Sequence, residues 1–103
     1  MSNSFWNRAN KSIALGNMFL SKHPNRYLPD KWPTYYKKAK GCKVWDLNNN
    51  VYYDFAGMGV TACVLGYSND DINRALIRGL KTGSMCTLNA TEEIDLAKEL
   101  LSI

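Results

Sequence analysis

The chain has 103 residues, enough for one small domain but too few for a complete large cofactor enzyme. An apolar content of 46% and a charged content of 21% exclude wholesale disorder. The longest apolar stretches are far too short to cross a bilayer, and the first residues lack the apolar run of a secretion signal. We therefore expect a soluble, cytoplasmic protein with no membrane partner.

The first helix is predicted from Ser4, a suitable N-cap, to about Leu15, with Gly16 ending it. Residues 22–33 contain all three prolines and predict an extended connector, because proline fixes φ and removes a backbone donor. The only histidine, His23, lies in this connector without an evident partner. We assign it no catalytic or metal-binding role.

Three strands are predicted next, over residues 34–40, 43–47 and 51–55. Three consecutive asparagines, residues 48–50, join the last two strands, since asparagine tolerates the left-handed backbone of a tight turn. We expect most of the buried area of the sheet to come from four aromatic rings, those of Trp45, Tyr52, Tyr53 and Phe55.

Two helices complete the predicted elements. The first covers residues 69–82 and ends at Gly83, and the second opens with a variant capping box from Asn89 to Glu92. The expected fold class is α+β, a three-stranded antiparallel meander with flanking helices. We divide it into residues 1–33, the helix and connector, and residues 34–103, the meander and two helices.

The net charge of +4 is unevenly distributed, because residues 1–43 hold nine basic side chains and a single acid, Asp30. One interpretation is a nucleic-acid-binding module, in which Trp32, Tyr35 and Tyr36 would stack on bases beside the lysines. The other is that this basic arm packs on an acidic remainder of the same protein. We favour the second and do not expect nucleic acid as a partner.

Few side chains indicate chemistry. The three cysteines are widely spaced and form no metal-binding or disulfide pattern, so we expect free thiols and no metal site. Asp46 and Asp54 are possible acid–base groups, but each lies in a strand-and-turn context. We interpret both as stabilising the hairpin, and we assign no catalytic residue.

An ordered series of short motifs is more informative. The pattern G-x-x-V-x-D, then Leu47 and three turn residues, and then x-Y-x-D-F covers residues 41–55, and Leu65-Gly66-Tyr67 follows. With the Gly/Ser passage at residues 83–85 and Glu93-x-x-x-Ala97, this order resembles the N-terminal region of class III (ω-amino-acid) aminotransferases, which are pyridoxal-phosphate enzymes. The likeness extends over about residues 27–103, and within the class it is most similar to glutamate-1-semialdehyde 2,1-aminomutase.

The resemblance implies the N-terminal segment of a fold-type I transferase, which is homodimeric at full length. In that family the Schiff-base lysine, the acid beside the pyridinium nitrogen and the phosphate donors lie in a large domain that follows this segment. The resemblance therefore implies a chain that is inactive alone and holds no pyridoxal phosphate by itself. It also implies that the loop after the third strand approaches the substrate, and on this basis we assign Gly57, Met58, Gly59 and Val60 to substrate binding.

Three departures concern the substrate pocket more than the fold: Tyr67 stands where the family usually has histidine, Asn69-Asp70 replaces a histidine–proline type pair, and the loop from Gly57 is about one residue longer. A third hypothesis also remains open, that of a short homologue that dimerises with a full-length aminotransferase and regulates it.

Overall fold

A computed structural model describes residues 2–28 and 31–103. Their backbone falls into two compact units, Met1–Asn69 and Asp70–Ile103. The first unit contains helix α1 (Ser2–Ser12), three short 3-10 helices and three strands, β1 (Tyr36–Lys40), β2 (Lys43–Asp46) and β3 (Val51–Tyr53). The second unit contains helices α2 (Asp70–Thr82) and α3 (Glu92–Leu101).

The three strands form an antiparallel meander in the order β1-β2-β3, as the sequence predicted. Lys40 pairs with Lys43 across the first turn, and Trp45 pairs with Val51 across the second. In the second turn, Asn49 adopts a left-handed φ of 66°, which is the conformation expected of the asparagine run. The α+β class is therefore confirmed, with each strand one to two residues shorter than predicted.

The N-terminal helix ends earlier than predicted. It stops at Ser12 because Ile13 is extended (φ −125°, ψ 129°) and a 3-10 helix, Ala14–Gly16, follows. Gly16 is buried with a φ of 74°, and a Cβ there would meet the Trp6 ring at 2.7 Å. Glycine is required at this position because the Trp6 side chain packs directly on the backbone.

The connector is not simply extended, which corrects the prediction for residues 22–33. Two 3-10 helices occupy part of it, Leu20–Lys22 and Pro24–Arg26. Proline is compatible with the first position of a helix, where its missing N–H would be unpaired anyway. Pro29 lies outside the described residues, so the prediction made for it is not addressed.

In the second unit, α2 ends just before Gly83, whose φ of 102° is left-handed. Helix α3 begins two residues later than the predicted cap. Its N-cap is Thr91, and the Thr91 side chain makes no capping hydrogen bond. The capping box from Asn89 is therefore wrong, because the helix begins at Glu92 and Thr91, rather than Asn89, occupies the N-cap position.

No apolar side chain is buried among the residues that the structure describes. Trp45 and Tyr52 are half-buried, but Tyr53 is 56% exposed and Phe55 96% exposed. The expectation that four rings supply most of the buried area of the sheet is therefore wrong for Tyr53 and Phe55. Tyr53 points to the opposite face from Tyr52, and Phe55 lies beyond the end of β3.

Candidate functional site

The four residues assigned to substrate binding lie in an irregular loop between β3 and the end of the first unit, which we call the 54–67 loop. Several backbone hydrogen bonds fold it into successive tight turns. Thr61 N donates to Gly57 O at 2.6 Å, Cys63 N to Met58 O at 3.2 Å, and Gly66 N to Cys63 O at 2.8 Å. The loop is thus locally ordered by its own backbone.

The centre of this loop is strained. Three consecutive residues, Gly59, Val60 and Thr61, have left-handed φ angles of 64°, 59° and 64°. For glycine this conformation is unstrained, but for the β-branched Val60 and Thr61 it costs about 1–3 kcal/mol each. Residues in such conformations cluster at ligand-binding and catalytic sites, where the surrounding structure holds them in place.

The loop is held at its beginning and its end by one pair of side chains. Tyr67 Oη donates a hydrogen bond of 2.6 Å to Asp54 Oδ2, while the other oxygen, Asp54 Oδ1, accepts from Ala56 N at 2.8 Å. The Tyr67 hydroxyl therefore connects the two ends of the loop that contains the strained residues.

This environment changes the acidity of Tyr67. Desolvation by burial raises the pKa of Tyr67 to about 12, together with the hydrogen bond from its hydroxyl to Asp54 and the negative charge of that carboxylate. The nearby Gly59 backbone acts to lower the pKa of Tyr67, and its effect is outweighed. Tyr67 is consequently protonated at neutral pH and acts as a hydrogen-bond donor to Asp54.

The end of the loop is anchored to the turn between β1 and β2. Gly41 and Tyr67 form an antiparallel bridge, with N–H to O distances of 2.8 Å in both directions. Gly66 (φ 86°) lies so close to this turn that a Cβ would meet Gly41 Cα at 3.1 Å. Lys40 Nζ adds a hydrogen bond of 2.9 Å to Ser68 O.

The predicted site residues differ in exposure. Gly57, Gly59 and Val60 are exposed, with Val60 at 78%, whereas Met58 is half-buried. The loop thus presents backbone and one apolar side chain outward. The sequence did not predict the contact between Asp54 and Tyr67, because residues thirteen positions apart in an irregular loop show no recurring spacing.

The contacts of Asp46 lie within the β2–β3 turn, which agrees with the turn-stabilising role favoured from the sequence. Asp46 is only 6% exposed, and its Oδ1 accepts from the backbone of Asn48 and Asn50 at 2.8 Å each. Its Oδ2 accepts from Asn50 Nδ2 at 2.9 Å and from Tyr52 Oη at 3.3 Å. Desolvation acts to raise the pKa of Asp46, but these hydrogen bonds outweigh it and hold the pKa below its ordinary value.

Of the three aromatic residues proposed to stack on bases, Trp32 and Tyr35 contact other rings of the first unit, whereas Tyr36 is 69% exposed. Trp32 stacks on Tyr27 with ring centroids 5.5 Å apart, and Tyr35 contacts the Phe5 ring at 5.9 Å. These contacts occupy ring faces that base stacking would need. The structure gives the nucleic-acid interpretation no specific support.

The remaining candidate groups are also accounted for locally. His23 Nδ1 accepts a hydrogen bond from Asn25 N at 3.2 Å, and its ring makes an edge contact with Trp6. Within residues 2–28 and 31–103, no cluster of histidine, cysteine and acidic side chains is suited to a metal ion. In the same residues, no helix combines the length and apolar character needed to cross a membrane.

Comparison with known proteins decides the family. No protein-family model matches the chain. Glutamate-1-semialdehyde 2,1-aminomutase of Thermoplasma volcanium is 35% identical over 75 residues, which cover 73% of this chain and 17% of that protein. The FumI protein of Sphingopyxis sp. MTA144, solved as a pyridoxal-phosphate internal aldimine, superposes on 94% of this chain and 23% of its own, with a TM-score of 0.81 and 25% identity. The chain is a class III aminotransferase homologue.

Other matches agree with this assignment. Diaminobutyrate–2-oxoglutarate transaminase of Virgibacillus pantothenticus is 47% identical over 47 residues, covering 45% of this chain and 11% of that enzyme. An ω-transaminase from Sphaerobacter thermophilus superposes with a TM-score of 0.79 at 27% identity, covering 94% of this chain and 21% of that one. The chain therefore spans less than a quarter of the length of these aminotransferases.

The lysines of this class III homologue are the side chains that could form a Schiff base with pyridoxal phosphate. All nine lysines are exposed: Lys11, Lys22, Lys31, Lys37, Lys38, Lys40, Lys43, Lys81 and Lys98. None has the desolvated setting that activates a lysine for Schiff-base formation. None of these nine lysines fits the role of the lysine that binds the cofactor. The expectation that the chain holds no cofactor by itself stays a prediction.

Proposed function

We propose that this chain is the N-terminal, pocket-forming part of a pyridoxal-phosphate-dependent aminotransferase or aminomutase, which acts on an amino acid or an amino-aldehyde. The superposition of 94% of the chain on an aminotransferase fold carries this proposal. The rest of the fold would supply the cofactor lysine, the acid beside the pyridinium nitrogen and the phosphate donors. The chain would be inactive without it.

Within that enzyme, Gly57, Met58, Gly59 and Val60 would contact the substrate. Their loop supports the assignment, because it exposes backbone at Gly57 and Gly59 and holds Val60 in a strained conformation. Close approach of a ligand to the backbone is possible where a residue has no Cβ. An exposed Val60 side chain would add an apolar contact.

The proposed enzyme is a cytoplasmic homodimer in which other parts of the fold cover the apolar faces of this chain. In the second unit, α2 exposes Leu76 at 60% and Leu80 at 66%, and α3 exposes Leu100 at 62%. Apolar side chains at this spacing normally face a packing partner. Size-exclusion chromatography with light scattering on the native protein tests the dimer.

The central test is reduction of the protein from its natural source with borohydride in the presence of pyridoxal phosphate, followed by peptide mass spectrometry. The proposal expects a pyridoxyl group on a lysine outside residues 1–103, with an intact mass several times 11.7 kDa. A specific adduct on one of the nine lysines here would contradict inactivity of the chain alone. A mass near 11.7 kDa would favour the regulatory partner instead.

The substrate class is tested separately by transamination and aminomutase assays with three amino donors: glutamate-1-semialdehyde, 2,4-diaminobutyrate and a simple ω-amine. Turnover of any of them supports the proposal. An adduct at a lysine without turnover of any amino compound would contradict the assigned chemistry.

A further inference from the structure

We propose that Tyr67 is a positioning residue for the candidate substrate loop, and that the hydrogen bond from its hydroxyl to Asp54 closes the loop and thereby holds the conformation of Gly59 and Val60. This inference rests on the proposed function for its effect on substrate, but the effect on the loop itself stands apart from it. Nothing in the comparisons assigns a role to this side chain.

The geometry places the Tyr67 hydroxyl so that it connects the beginning and the end of the loop. Tyr67 Oη donates to Asp54 Oδ2 at 2.6 Å, so its proton is directed toward the strand end. Asp54 Oδ1 accepts from Ala56 N at 2.8 Å, so the same carboxylate also fixes the first turn of the loop.

The loop needs such a restraint because its centre is unfavourable by itself. Val60 and Thr61 have φ angles of 59° and 64°, which β-branched residues rarely adopt. Strained residues of this kind persist only where surrounding contacts hold them. The hydrogen bond between Tyr67 and Asp54 provides such a contact, because it joins the two ends of the 54–67 loop and limits the conformations open to the residues between them.

The anchor of Tyr67 is itself rigid. Its backbone is fixed by the two hydrogen bonds of 2.8 Å to Gly41, beside the turn between β1 and β2. Asp54 is fixed on the other side, because its backbone N–H donates to Cys42 O at 2.8 Å. Both partners of the Tyr67–Asp54 hydrogen bond are therefore fixed by backbone contacts to the β1–β2 turn, and the loop between them must fit that geometry.

The variant that removes only the hydroxyl is Tyr67→Phe, and the matched control is Tyr53→Phe, which removes an exposed hydroxyl on β3. Hydrogen exchange is measured by mass spectrometry on peptides covering residues 56–66. Loss of the hydrogen bond to Asp54 raises exchange in this loop about five- to tenfold in Tyr67→Phe, while Tyr53→Phe exchanges as the original protein does. Equal exchange in Tyr67→Phe and the original protein overturns the inference.

A double-mutant cycle with Asp54→Ala distinguishes the hydrogen bond between Tyr67 and Asp54 from the one that Asp54 accepts from Ala56 N. If the pair acts as a unit, the double variant exchanges only slightly faster than Asp54→Ala alone. Independent, multiplicative effects of the two substitutions would show that Tyr67 acts by another route and would contradict the inference.

The catalytic measurement distinguishes this inference from the proposed function. With a donor that the enzyme transaminates, Tyr67→Phe is expected to raise KM several-fold with kcat within about twofold of the original value. An unchanged KM alongside faster loop exchange would refute the effect on substrate. If the original protein transaminates nothing, the proposed function fails, and the exchange data still decide whether Tyr67 positions the loop.

Discussion

Asp46 and Asp54 lie eight residues apart, and each carboxylate binds backbone amides in the turn that follows it. Asp46 accepts from the backbone of Asn48 and Asn50, and Asp54 accepts from that of Ala56. Carboxylates used in this way satisfy donors that a tight turn would otherwise leave unpaired. Their common contacts agree with the prediction that both aspartates stabilise turns.

For Asp46, we predict that Asp46→Ala opens the β2–β3 turn. Removing the carboxylate leaves the Asn48 and Asn50 amides without their acceptor, so their hydrogen exchange should rise about tenfold. The exposed Asp95→Ala on α3 is the control and should leave both amides unchanged. Unaltered exchange in Asp46→Ala would contradict the role of the carboxylate in the turn.

The lowered pKa of Asp46 predicts that the stability of the β2–β3 turn depends on pH in the acidic range. Because the pKa of Asp46 in the folded protein lies below the ordinary value of 3.8, its stabilising effect is fully present above about pH 4. The effect is lost as pH falls through the lowered value. Protection of the Asn48 and Asn50 amides, followed by NMR, should decrease over that acidic range in the original protein but not in Asp46→Ala.

The raised pKa of Tyr67 predicts that its contribution to stability is lost at high pH rather than at low pH. Its pKa of about 12 in the folded chain exceeds the ordinary 10.0, so its contribution to stability is complete below pH 10 and is lost as pH rises through 12. Desolvation is the largest cause of the raised pKa, and the hydrogen bond to Asp54 and the negative charge of its carboxylate add to it. The difference in absorbance at ~295 nm between the original protein and Tyr67→Phe should show a titration centred near pH 12. A difference titration centred near pH 10 would argue against the Asp54 hydrogen bond.

At the level of elements, the turns rather than the strands determine where the candidate site lies. The hydrophobic and aromatic pattern identified all three strands, because period-two alternation is a local property of the sequence. The 54–67 loop follows no such period. Its turns depend on Gly59, on two strained β-branched residues and on contact with Gly41, none of which composition reveals.

Gly66 provides a test of that contact. In Gly66→Ala, the new Cβ would meet the Gly41 backbone at 3.1 Å and the residue would keep an unfavourable φ of 86°. We expect a local cost of about 1–3 kcal/mol and faster exchange of the Gly41 and Tyr67 amides. Gly79→Ala, in α2 with nothing within 4 Å, is the matched control and should increase helix content instead. Protected Gly41 and Tyr67 amides in Gly66→Ala would disprove the close approach.

For the whole molecule, the main observation is how little apolar surface is buried. Among the described residues, Asp46 and Gly16 are the buried positions, and neither contributes an apolar side chain. A small domain that folds independently normally buries a contiguous apolar core. This agrees with the span of less than a quarter of the related aminotransferases.

We therefore predict that the 103-residue polypeptide, when produced alone, binds the dye ANS and unfolds over a broad temperature range. Exposed leucines on α2 and α3 provide the dye-binding surface. Fluorescence titration and calorimetry measure the two effects. A sharp, cooperative transition without dye binding would contradict the prediction and would favour a self-sufficient module.

The sequence by itself determined the strands, the two C-terminal helices, the asparagine turn and the likeness to class III aminotransferases. These depend on local periodicity, on turn-forming residues and on the order of short motifs, all of which are readable along the chain. It misjudged the exposure of Phe55, the connector and the α3 cap. Burial and cap geometry depend on what lies nearby in space, and a single sequence does not contain that information.

The tertiary structure alone decided how the 54–67 loop is held. The hydroxyl of Tyr67 reaches Asp54 across thirteen positions, and Gly66 rests against Gly41 twenty-five positions earlier. Both contacts arise only after the meander brings the β1–β2 turn next to the end of the loop. Long-range closure of this kind follows from the fold, because it joins residues whose separation in the chain has no characteristic pattern.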